Sequence, residues 1–158
     1  SSSINKALNI VGTAMANNYI NIQTKMKGNL RIESYENELI QCLSNILNNA
    51  KDALKDVDEE NRVVRVFLEE FEEGVVITIH DNAGGIPDNI LKKVFEPYFT
   101  TKHESQGTGL GLYMCYKIIN ESLNGDIKII NEELKVNNEV YLGAKIIIHL
   151  PKKLKKED

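Results

Sequence analysis

The chain has 158 residues, near the common size of one domain, and a chain of this length buries roughly 70% of its unfolded surface, so a second domain is not expected. An apolar fraction of 42% and a charged fraction of 27% exclude wholesale disorder, and a formal net charge of −4 gives no electrostatic reason for nucleic acid or an anionic membrane as partner. No apolar run approaches the roughly 18 residues of a membrane span, and no signal-peptide pattern is present; Cys42 and Cys115, with no metal-spaced histidine, fit buried thiols of a reducing compartment.

Helical spacing of Ile4, Leu8, Val11 and Met15 predicts an amphipathic helix over 3–17. Alternation of Ile20, Ile22, Thr24 and Met26 then predicts a strand, and Gly28 turns the chain into a second short strand at Leu30–Ile32. From Ser34 as N-cap, with Glu36 and Glu38 in the first turn, the stripe Leu39, Leu43, Ile46, Leu47, Ala50, Leu54 predicts a helix over 34–56. Val64, Val66 and Leu68, the turn Glu72–Gly74, and Val75, Ile77 and Ile79 read as an antiparallel hairpin, broken by DNAGGIPDN at 81–89. A short helix follows over Asn89–Phe95, then a long aperiodic stretch over 96–108, of a length that is usually functional. A helix over 109–122, a strand over 126–131, a polar turn and a last strand over 140–150 complete the chain, and KKLKKED (Lys152–Asp158) reads as a solvated charged tail. This order predicts an α+β fold, a two-layer α/β sandwich with a mixed, mostly antiparallel sheet packed on helices.

Three segments carry chemistry. Gly107, Gly109 and Gly111 alternate where the long loop enters a helix. Their spacing fits neither the dinucleotide fingerprint nor the P-loop, yet a glycine-rich helix entry still offers unpaired N–H groups and the positive end of the dipole to an anion. The alternative is a flexible loop with a tolerant helix start, which three glycines at roughly 0.8–1 kcal/mol each make a weak explanation. Asn45, Asn49 and Asp52 share one flank of the 34–56 helix. Either they are a solvated polar flank or their oxygens suit a hard cation such as Mg²⁺. Asp81 ends an apolar strand before a glycine pair. That pattern serves as a turn, or as a carboxylate accepting from an exocyclic amine where a flat ring can approach backbone, as adenine would.

NILNNAKDAL (45–54), DNAGGIP (81–87), FEPYFTTK (95–102) and GTGLGL (107–112) resemble, in order and spacing, the N box, first glycine box, F box and second glycine box of the ATP-binding catalytic domain of sensor histidine kinases. The closing strand Gly143–Pro151 is similar to theirs as well. The resemblance implies the Bergerat-type ATP-binding fold over 1–151, with ATP and Mg²⁺ bound. It implies that Asn49 holds the metal, with Asn45 and Asp52 beside the phosphates, and that Asp81 bonds the adenine amine, with Gly85 and Ile86 under the ring. On the same pattern Tyr98, Thr100, Thr101 and Lys102 belong to a lid, Gly107, Thr108, Gly109, Leu110, Gly111 and Leu112 cap the phosphates, and Asn45, Asn49 and Lys102 are the catalytic set. Ala83 departs from the family pattern, standing where its first glycine would be.

His80, His103 and His149 lack the context of a phosphoacceptor; His80 and His149 read as structural, and His103 lies on the lid. The resemblance therefore implies transfer of the γ-phosphate to a histidine on a separate dimerisation domain, with a response regulator downstream, a cytoplasmic location whether or not a parent chain is membrane-anchored, and a monomeric isolated domain. Gyrase-, mismatch-repair- and chaperone-type relatives place Glu one turn before the metal-binding Asn. That position is Asn45, and an amide cannot act as general base, so hydrolysis is disfavoured. The alternatives are a nucleotide-binding module without phosphotransfer, or an ATPase of the same superfamily.

Overall fold

Ile4, Ala7, Val11 and Met15 recur every three or four residues, and all four are buried on one side of helix α1 (Ser2–Asn17), with half-buried Leu8 packed against the same core. The chain is seen in a computed structural model that describes residues 2–28, 36–96 and 111–151. Strand β1 (Asn21–Lys27) leads to helix α2 (Glu36–Ala53), which continues as a 3-10 turn at Leu54–Asp56, and α1 and α2 are joined at the surface by Lys6 Nζ and Glu36 Oε1, 3.0 Å apart. Every member of the predicted α2 stripe is buried. The expected strand at Leu30–Ile32 and the expected cap Ser34 lie outside the described residues.

Strands β2 (Val63–Glu70) and β3 (Gly74–Asp81) form the expected hairpin. Helix α3 (Asp88–Leu91) is shorter than expected and passes into turns before Phe95. Helix α4 (Gly111–Lys117) ends in a wider π turn at Ile118–Ser122. Strands β4 (Asp126–Val136) and β5 (Glu139–Pro151) close the sheet in the order β1-β2-β3-β5-β4, parallel between β1 and β2 and antiparallel elsewhere.

One expectation is corrected here: the residues after Asn131 are strand, not turn. Leu134 and Val136 alternate and are buried with Val63 against Tyr141, which extends pairing to Val136. The turn itself is Asn137–Asn138, with φ of 51° and 67°, the left-handed pair that a two-residue hairpin loop requires and asparagine tolerates.

Alternation sorts the sheet into two faces. Val64, Val66, Leu68, Val75, Ile77, Ile79, Ile127, Ile146, Ile148 and Leu150 point to the helices and form one core with α1, α2 and α4. The opposite face carries Arg65, Phe67, His80, Glu132 and Lys145, with Lys25 and Lys27 over the Phe67 ring. Cys42 and Cys115, far apart in sequence, meet between α2 and α4, where the Cys115 thiol donates to the Cys42 carbonyl oxygen at 3.3 Å. The Cys115 thiol and burial push the Cys42 thiol well above its ordinary pKa, which makes it a poor nucleophile, and both cysteines are free and buried.

Candidate functional site

The site is built at the end of β3. Register places Asp81 opposite Val64, hence on the helix side of the sheet, level with Ala144 of β5 and Asn131 of β4. Its Oδ1 accepts the N–H groups of Ala83 (3.0 Å) and Ala144 (3.3 Å). Burial pushes the Asp81 carboxyl above the usual carboxylate range, and those two backbone bonds and the nearby His80 offset part of the rise. Strand β5 reaches this level only because residue 143 is glycine: a Cβ there would overlap the Asp81 carbonyl oxygen.

The turn after Asp81 is pinned at three residues, Asn82, Gly84 and Ile86. Asn82, wholly buried, accepts the Val63 N–H (3.0 Å) and donates to the Asn61 carbonyl (2.6 Å). The Gly84 N–H donates to the Leu142 carbonyl at 2.8 Å. Ile86 is gripped by Asn131, whose Oδ1 accepts its N–H (2.8 Å) and whose Nδ2 donates to its carbonyl (2.6 Å). Gly84 and Gly85 have φ of 101° and 80°, whereas Ala83 does not enter the left-handed region, so the departure at 83 falls where no glycine is required.

On α2 the apolar stripe turns a flank outward on which Asn45, Asn48, Asn49 and Asp52 are all half-buried. Lys51 and Lys55 approach the Asp52 Oδ1 at 4.0 and 3.9 Å. Leu112 packs against the main core at the start of α4, and Phe95, the first residue of the FEPYFTTK segment, lies against Tyr116 with ring centroids 5.5 Å apart. Gly111 opens α4. Tyr98, Thr100, Thr101, Lys102, His103, Gly107, Thr108, Gly109 and Leu110 lie outside the described residues. His80 faces the other side of the sheet, its Nε2 donating to the Glu132 carbonyl at 2.9 Å, a structural role; His149 is an exposed residue of β5. A cavity of about 220 Å³ also opens on that far side, beside Gln23, Arg65 and Lys135, but it gathers none of the predicted site residues, and Arg65 directs donors to the Gln23 Oε1 and the Lys135 carbonyl.

The profile of the histidine kinase-, DNA gyrase B- and HSP90-like ATPases matches residues 34–154. The chain belongs to this ATPase family. Within it the relatives are sensor kinases. The C4-dicarboxylate transport sensor protein DctB of Pseudomonas aeruginosa is 34% identical over 77% of this chain and 18% of its own length. Sporulation kinase A of Bacillus subtilis is 33% identical over 80% of the chain and 19% of its own length. The chain thus spans about a fifth of the length of the curated relatives it matches. The nucleotide-free catalytic domain of histidine kinase ThkA superposes with a TM-score of 0.76 at 29% identity, covering 96% of this chain and 91% of that one. The chain is therefore an ATP-binding catalytic domain of the histidine-kinase type, and its mixed five-stranded sheet covered by helices matches the fold of that solved catalytic domain.

Sequence reasoning did not single out Asn82, Asn131, Leu142 or Ala144 in this ATPase domain. One signal was present: asparagine is depleted in strands, and Asn131 follows Ile129 and Ile130 in a run of strand residues.

Proposed function

We propose that this domain binds Mg²⁺·ATP between α2 and the Asp81 turn and delivers the γ-phosphate in line to a histidine on a separate dimerisation domain, from which a response regulator takes it. The observation that carries the adenine end is the Asp81 carboxylate. Its two backbone bonds both use Oδ1, which holds the group rigidly and leaves Oδ2 as the acceptor for the adenine amine. Gly85 and Ile86 would lie under the ring, with Gly84 allowing the backbone to turn there.

At the other end, Asn49 would hold the metal, with Asn45 and Asp52 beside the phosphates. Among the described residues no three His, Cys, Asp or Glu side chains gather to hold a cation, so amide oxygen, phosphate and water would complete its shell, a set that suits Mg²⁺. Bound there, Mg²⁺ supplies charge stabilisation of the phosphoryl oxygens. The amides of Gly107–Leu112 would cap the phosphates, and Tyr98, Thr100, Thr101 and Lys102 would close over them, Lys102 neutralising charge on the transferred group. Asn45 cannot take a proton from water, so hydrolysis is disfavoured, whereas an imidazole nucleophile needs no such base. No described helix is long and apolar enough to cross a membrane. A cytoplasmic domain, monomeric in isolation and covering residues 1–151 ahead of a charged tail at 152–158, completes the proposal.

Calorimetric titration of Mg²⁺·ADP into wild type and Asp81→Asn tests the pocket. Loss of a charge-assisted bond of roughly 1.5–3 kcal/mol should weaken binding about 10- to 100-fold. Equal binding by the two proteins would sink the adenine reading. Brisk phosphate release by the domain, or label transfer to a supplied dimerisation domain by Asn49→Ala, would sink the transfer reading.

A further inference from the structure

The most unusual side-chain arrangement on the helix-facing side of the sheet is at Asn131. Its carboxamide meets both backbone groups of a single residue, accepting from the Ile86 N–H at 2.8 Å and donating to the Ile86 carbonyl at 2.6 Å. An amide used this way is a stand-in for a neighbouring strand: Ile86 is paired as if β4 had one more partner, although 45 residues separate the two in sequence. Asn131 also lies directly under Gly85, where a Cβ would come within 2.9 Å of its Oδ1 and 3.0 Å of Leu142 Cδ2. The residues two and four places earlier on the same face of β4 are Ile129 and Ile127, both in contact with the core, so the stripe turns polar at the level of Asp81.

We infer that Asn131 is a positioning residue for purine selection: it fixes the height and tilt of the Gly84–Ile86 backbone, and thereby the distance between a base lying on that backbone and the Asp81 carboxylate. This rests on the adenine reading proposed above. Asp81 is held from its own side by Ala83 and Ala144, so the acceptor is fixed independently of Asn131. What Asn131 sets is the floor under the ring. A hydrogen bond from the base to Oδ2 tolerates only a few tenths of an ångström and a modest angle, so a floor that drops or rocks costs the base-specific bond first.

The test compares ADP with inosine diphosphate, which keeps the sugar and phosphates but carries a carbonyl where adenine has its amine. Both are titrated with Mg²⁺ into wild type, Asp81→Asn, Asn131→Leu, which keeps the size and removes both bonds, and Asn131→Asp, which keeps the acceptor and removes the donor. Wild type should prefer ADP by about tenfold or more, and Asp81→Asn should abolish the preference. Asn131→Leu should reduce the preference to about twofold, chiefly by weakening ADP, with Asn131→Asp between the two. Exchange of the Ile86 amide proton should accelerate in Asn131→Leu while the amides of β3 and β5 stay protected. A merely structural role would lower affinity for both nucleotides alike and leave their ratio intact; that result, with the Asp81→Asn preference lost as expected, overturns the inference alone. Equal wild-type affinities for the two nucleotides would overturn the adenine reading and the inference with it. Should Asn131→Leu fail to fold, the ratio in Asn131→Asp decides the same question.

Discussion

Two sets of asparagines border the proposed nucleotide site and differ in what they do. Those on α2, Asn45 and Asn49, are half-buried on a helix flank, where asparagine is a poor helix former and adds nothing to the apolar stripe beside it. Asn82 and Asn131 have both ends of the amide committed to backbone groups of other segments. On the reading proposed above, the first pair serves the metal and the phosphates at some cost to the helix, and the second pair builds the wall on which the base would lie. A residue type therefore says little by itself, and the fate of its donor and acceptor says most.

The sharpest way to break the wall is Gly143→Ala. Its Cβ would overlap the Asp81 carbonyl oxygen and drive β5 from β3 at the level of the site, so a loss of about 1–3 kcal/mol or more in urea unfolding is expected, together with loss of ADP binding. Asn82→Ala comes next: the buried Val63 N–H loses its acceptor, for about 1–3 kcal/mol, read as a lower urea midpoint at unchanged slope. Asn49→Ala is the counterpart on α2. There stability should change by no more than about 0.5 kcal/mol, since alanine favours the helix, while Mg²⁺-dependent nucleotide binding is lost. Equal destabilisation by Asn82→Ala and Asn49→Ala would erase the distinction between the two sets.

Asp81→Asn sharpens it from the side of charge. The folded carboxyl is raised above its unfolded value by burial, so the folded state holds its proton to higher pH than the unfolded chain. Stability on this account falls as pH rises from the unfolded value through the folded one and stays lower above it. Asp81→Asn should remove that fall, leaving the variant at least as stable as wild type at neutral pH while it loses ADP. The smallest effect belongs to the open face, where Lys145 Nζ lies 2.7 Å from Glu132 Oε2 and holds that carboxyl below its usual range. The sign is reversed: this stabilisation is present above the unfolded value and lost as pH falls through the folded one. Exposure limits it to about 0–1 kcal/mol, so Glu132→Gln should barely move the thermal midpoint.

The core was readable because its periods are clean: every residue of the α2 stripe and both alternating triplets of the β2–β3 hairpin are buried as spacing alone required. The end of β4 was not, because Glu132 and Glu133 look like turn residues and only pairing with β5 makes them strand. At the site, Asp81 and the glycine pair could be found from their place after an apolar run. Asn131 could not be tied to Ile86, since no local pattern encodes a bond across three strands. The meeting of Cys42 and Cys115 was hidden for the same reason, and both thiols should resist a soluble thiol reagent until the domain unfolds.

The strand order has a consequence in time. Two of the four strand pairs, β2 with β3 and β4 with β5, are closed by turns of a few residues, whereas β1 reaches β2 only after the whole of α2 has been threaded between them. Short hairpins zip in microseconds, while a pairing that must first close a long loop waits for it. The edge formed by α1 and β1 should therefore dock last and open first. The Asp81 turn, braced by β2, β4 and β5, belongs to the part of the chain that assembles without it.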